Sequence, residues 1–116
     1  MVTLEQTPRQ ALELLEHDLG VTAADIAAAL GASPRTIERW RTDATYPQRA
    51  ARERLADLLD LDRRLLKTFR DGAAARSWMQ AENRVLGGFS PVAALRIGRV
   101  DRVEAALDAL DAGIFV

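Results

Sequence analysis

Cysteine is absent from these 116 residues, which excludes disulfides and thiolate metal sites. Histidine is nearly so: His17 stands alone, which removes most zinc sites and histidine-based triads. The carboxylates do not cluster in sequence, so no credible catalytic set remains, and a non-enzymatic protein without metal or cofactor is expected. No apolar run approaches the ~18–20 residues that span a bilayer, and the N-terminus lacks the basic-then-apolar pattern of a secretion signal. The expected compartment is the bacterial cytoplasm, with no membrane contact. An excess of either charge is also missing: a net charge of −1 excludes a basic nucleic-acid coat. So are strand-like alternation, internal repeats, low-complexity tracts and coiled-coil heptads, and the chain reads as all-α. Gly87-Gly88 is not a phosphate loop, having neither the glycine spacing, the lysine nor the preceding strand.

What is present is apolar content of 48%, enough for a core in one domain or in two very small ones that share it. The organising stretch is Thr22–Arg41. Thr22 and Asp25 form a capping-box pattern, and Ile26, Ala27 and Leu30 make one apolar face before Gly31 stops the helix. Ser33 caps a second helix with Pro34 at its first position, and Ile37 and Trp40 form its buried seam. At about 100° per residue, Arg35, Arg39 and Thr42 point away from that seam, flanked by Thr36 and Glu38. This is a helix-turn-helix pattern with Ser33–Thr42 as recognition helix, and it names Ser33, Arg35, Thr36, Arg39 and Thr42 as DNA-binding candidates. Glu38 either accepts from a cytosine amino group or pairs with Arg35, Arg41 or Thr42. Charge distribution agrees with the motif. Residues 31–54 hold six arginines against Glu38, Asp43 and Glu53, whereas residues 1–30 hold Arg9 against five acids.

Upstream, Thr7-Pro8 opens a first helix with Leu12, Leu15 and Leu19 as its stripe and Gly20 as its end. His17 between them reads as a solvated or capping residue. Downstream, Gln48–Asp71 is long and leucine-rich, with Ala51, Leu55, Leu58, Leu59, Leu65, Leu66 and Phe69 at helical steps. Asp62 interrupts that stripe, so a bend or break near Leu61–Asp62 is an expectation. Arg49, Arg52 and Arg54 either touch phosphates or form a solvated face with Glu53, and the surplus leucine suggests a dimer seam. After Asp71-Gly72 come three short helices: Ala73–Ala81, one opened by Ser90-Pro91 with Val92, Leu95 and Ile97, and a last one carrying Val103, Leu107 and Leu110. These are a poor independent core and must pack on the head or on a partner. Gly113 ends the last helix, and Ile114-Phe115-Val116 either fold back on it or insert into another protein's groove.

The order Trp78-Met79, Asn83-Arg84-Val85-Leu86-Gly87-Gly88, Ser90-Pro91, the Val103–Leu110 helix and Gly113-Ile114-Phe115-Val116 resembles the MbcA/ParS/Xre family of antitoxins. The resemblance implies an Xre-like helix-turn-helix head with a long connecting helix over residues 1–70, and a small helical toxin-binding domain over 73–116. It implies a RES-domain toxin as partner, an enzyme that consumes NAD by phosphorolysis or hydrolysis, or that ADP-ribosylates a target. In such pairs the antitoxin's tail blocks the NAD cleft, a role that falls here on Gly113, Ile114, Phe115 and Val116, with Asn83, Arg84 and Gly88 as further contacts. One departure is the turn before the last helix, which carries Arg99 and Asp101 with a single Gly98.

The expected function is therefore a type II antitoxin that neutralises a RES-type toxin by occlusion. It would repress its own operon through operator DNA, as a homodimer or in a higher-order toxin–antitoxin complex. Two competing readings are a stand-alone transcriptional regulator whose C-terminal helices only dimerise, and an assembly module whose helix-turn-helix no longer reads DNA.

Overall fold

Hydroxyl side chains start four of the described helices. Thr7 accepts the Gln10 N–H at 3.2 Å while Gln10 returns its amide oxygen to the Thr7 N–H at 3.0 Å, opening α1 (Pro8–Leu19). Thr22 and Asp25 repeat the exchange at 3.1 and 3.0 Å to open α2 (Ala23–Leu30), and Ser33 accepts from the Thr36 N–H at the start of α3 (Pro34–Arg41). Gly31, at φ 67°, makes the left-handed turn between α2 and α3 that a side chain would strain. The computed structural model describes residues 6–113. Beyond α3 they form α4 (Arg49–Thr68), α5 (Gly72–Gln80), a 3-10 turn at Arg84–Leu86, α6 (Pro91–Arg96) and α7 (Val100–Asp111). There is no strand among the described residues, and the protein is all-α. No described helix is long and apolar enough to cross a membrane.

The expected break at Leu61–Asp62 does not occur, because α4 is one helix of 20 residues. Asp62 lies three or four residues from Leu58, Leu59 and Leu65, so helical geometry puts it on their stripe, and it is buried with them. The Asp18 carboxyl on α1 is its acidic neighbour. Burial, then the Asp18 carboxyl, push Asp62 up to about 7, against a smaller opposing pull from Arg63. Asp18 Oδ2 and Asp62 Oδ1 are both buried and have no hydrogen-bond partner among the described residues, an arrangement that disfavours ionising both groups. Leu66, expected in the stripe, is instead exposed.

The three C-terminal helices do pack on the head. α5 lies against α1, α6 against α2 and α7 against α4, and a single apolar cluster runs from Leu12, Leu15, Ile37 and Trp40 through Leu55, Leu58 and Leu65 to Met79, Leu95, Val103 and Leu107. Polar ties cross the same boundary. Gln80 Nε2 donates to Gly20 O at 2.9 Å, and Arg64 on α4 holds Asp108 and Asp111 on α7. Arg96 Nε donates to Asp25 Oδ1 at 2.6 Å, so one carboxylate both caps α2 and anchors α6. Burial raises the Asp25 carboxyl, but the Thr22 N–H and the Arg96 guanidinium outweigh it and hold it below the usual carboxylate range.

Candidate functional site

On α3 the seam residues Ile37 and Trp40 are buried, and Arg35 and Arg39, four residues apart, are exposed on the opposite side. Neither guanidinium has a carboxylate partner among the described residues. Thr36 sits half-buried beside them. The remaining two candidates are occupied at the helix ends: Ser33 Oγ caps the Thr36 N–H, and Thr42 Oγ1 donates to Arg39 O at 3.3 Å. The face that α3 offers is therefore Arg35, Thr36 and Arg39, with Ser33 and Thr42 bounding it.

The other arginines of the basic block are used within the protein. Arg41 bonds Glu16 on α1 and lies 3.5 Å from Glu38. Arg54 Nη1 donates to Leu30 O at 2.8 Å and so covers the carbonyl end of α2. Arg52 donates to Pro47 O and stacks over Tyr46 at 5.7 Å, and Arg49 pairs with Glu53. These contacts hold α2 and α4 as a frame behind α3. His17 is exposed, with Nδ1 3.0 Å from Asp18 Oδ1.

In the C-terminal region Asn83, Arg84 and Gly88 come together in one loop, and Asn83 organises it. Its side chain is buried; Oδ1 accepts the Val85 N–H at 3.0 Å, its carbonyl accepts from Leu86 and Gly88, and its N–H donates to Phe89 O at 3.1 Å. Gly88, at φ 95°, occupies a backbone region that only glycine adopts without strain. The loop thereby presents Arg84, Val85 and Phe89 to solvent. Gly113 is not part of this group. It follows α7, whose twelve residues carry it roughly 18 Å from Arg99 at 1.5 Å per residue. Ile114, Phe115 and Val116 lie outside the described residues.

Sequence reasoning missed the apolar surface beside the loop. Phe89 and Ile97 are 68% and 72% exposed, more than any other large apolar residues described. Ile97 was expected on the buried face of α6 but stands at the helix C-cap, where the chain has already turned outward. A signal existed for Phe89. It precedes the Ser90 cap, where an apolar residue usually clips onto the fourth helical position, and that position is only Ala94.

Comparison with known proteins bears on both regions. Residues 64–113 match the family model "Antitoxin Xre/MbcA/ParS C-terminal toxin-binding domain", and residues 9–59 match a homeodomain-like domain. The chain is 35% identical to the mycobacterial cidal antitoxin MbcA of Mycobacterium tuberculosis over 84% of its own length and 86% of that protein. It is 34% identical to a probable mycobacterial cidal antitoxin of the same species over 99% of this chain and 98% of the relative. Among solved structures, a chain in the crystal structure of the M. tuberculosis MbcT–MbcA toxin–antitoxin complex matches with a TM-score of 0.68 and 30% identity, covering 96% of this chain and 99% of that one.

Proposed function

The chain belongs to the Xre/MbcA/ParS antitoxin family, and on that premise we propose that it is the antitoxin of a type II toxin–antitoxin pair whose toxin is a RES-domain, NAD-degrading enzyme. The observation that carries this reading is the match along nearly the whole chain to a protein in a toxin–antitoxin complex. In this reading the α5–α7 region docks on the toxin, and residues 113–116 occupy the cleft that would take NAD. Occlusion needs no catalytic group on the antitoxin, only an apolar surface that excludes the nucleotide. The Asn83-centred loop supports it by presenting Arg84, Val85 and Phe89 on a fixed backbone. The test is capture from the native host with the full chain and with a version ending at Ala112. The expected result is a stoichiometric partner that destroys NAD once freed, and that is lost or poorly inhibited with the shorter version. Capture of DNA alone by both versions would favour a stand-alone regulator instead.

The same protein, in the cytoplasm and as a dimer, would repress its operon through α3. Arg35 and Arg39 supply two exposed guanidiniums with no carboxylate partner among the described residues, and a dimer doubles the phosphate contacts that dominate affinity. Arg39→Ala is expected to weaken operator binding by ~1–3 kcal/mol if the side chain reads a base. A gel-shift titration across several salt concentrations checks it. A loss equal on specific and random DNA would make Arg39 a phosphate contact, and an unchanged titration would remove it from the interface.

A further inference from the structure

Phe89 and Ile97 line an open groove of about 420 Å³ formed where the Asn83 loop, α6 and the start of α7 meet, together with Leu86, Ala93, Ala94 and the three arginines Arg96, Arg99 and Arg102. Two large apolar side chains standing in water beside an apolar hollow mark an interaction surface. Charge indicates what fits there. Residues 84–102 hold Arg84, Arg96, Arg99 and Arg102 against Asp101 alone. Arg99 is paired with Asp101 and Arg96 with Asp25, while Arg102 has no carboxylate partner among the described residues. A second copy meeting this face symmetrically would bring arginine against arginine. A nucleic-acid strand would find two of the groove's three lining arginines, Arg96 and Arg99, already paired with carboxylates.

We propose that this groove receives an apolar side chain of the toxin flanked by carboxylates, with Phe89 and Ile97 as its walls and Arg102 as the cation that meets the acid. The assignment rests on the antitoxin reading above and adds to it a contact separate from the segment after Gly113. Toxin engagement is then two-point: the groove supplies attachment and orientation at one end of α7, and residues 113–116 supply occlusion at the other.

The test measures the dissociation constant between the full chain and the RES-domain toxin purified from the native host. The variants are Phe89→Ser and Arg102→Glu, with Leu66→Ser as an exposed apolar control away from the groove. All three side chains are exposed, so helicity and melting temperature should match the parent and confirm that each variant folds. The expected result is at least tenfold weaker binding for Phe89→Ser and for Arg102→Glu, the latter effect shrinking with added salt, and no change for Leu66→Ser. Equal binding by all variants overturns the groove assignment while leaving the antitoxin reading intact. If the parent chain neither binds nor inhibits the toxin, both fall. Sedimentation showing that Phe89→Ser dissociates a dimer with toxin affinity unchanged would give the groove to a second copy. Loss of DNA binding alone in Arg102→Glu would give it to nucleic acid. Either of those results overturns the proposal.

Discussion

Asp62→Asn is expected to raise unfolding free energy at pH 8 by ~2–4 kcal/mol, with the gain fading toward pH 4. Asp62 is pushed up to about 7 in the folded protein, mainly by burial and then by the Asp18 carboxyl, whereas its ordinary value is 3.8. Well below its ordinary value of 3.8 the group is protonated in both folded and unfolded chains, and the ionisation penalty vanishes. As pH rises from 4 to 7 the unfolded chain releases the proton that the folded one retains, so stability falls, and above 7 the full penalty persists. Asparagine keeps the shape, carries no charge and offers an N–H to Asp18. The groups around the pair are His17, 3.0 Å from Asp18, and Arg63, and both are unchanged in the variant. Asp25 acts with the opposite sign, its stability being lost as pH falls through its depressed value, but it contributes equally to both proteins. Urea titrations from pH 4 to 8 decide the matter. Parallel curves with no gain at pH 8 would mean that Asp62 finds water or another partner.

Leu107→Ala is expected to cost ~2–5 kcal/mol and to destabilise the helix-turn-helix along with the C-terminal helices, in one transition. Leu107 is fully buried on α7, in the same apolar cluster as Trp40 on the buried side of α3. The two tryptophans report separately: Trp40 lies in the head, and Trp78 packs on Phe69 at 5.8 Å between ring centroids. Fluorescence of Trp40→Phe and Trp78→Phe backgrounds should give coincident melts, shifted together by Leu107→Ala. Two melts, with the Trp40 signal untouched, would instead establish residues 1–70 and 73–116 as independent units. The distinction matters for function, because with one shared core a contact made by the C-terminal helices is felt at α3.

Local chemistry was legible in the sequence wherever one residue type has one strong use. Thr7, Thr22, Ser33 and Ser90 announced helix starts, and Gly20, Gly31 and Gly98 announced ends, because a short hydroxyl side chain and a left-handed backbone are each needed at a single place in a helix. The three- and four-residue spacing of leucines placed the buried faces, and the exposed pair Arg35 and Arg39 followed from the same periodicity. Periodicity also misled. It put Ile97 on a buried face, since spacing cannot say that α6 stops one residue earlier.

Tertiary structure alone decided the rest, because those features depend on which helices meet. Asp62 read as a break, and became a buried carboxyl with a raised pKa only once α1 set Asp18 against it. Arg41, Arg52 and Arg54 belong to the basic block in sequence but are drawn inward by Glu16, Pro47 O and Leu30 O. The Asp25–Arg96 tie joins residues 71 positions apart, and the groove beside Phe89 is closed by Arg102 from the next helix. Helix formation is governed by neighbours within about four residues, which a sequence displays directly. Partner choice for a charge, and the shape of a surface, are governed by packing across the chain, which it does not.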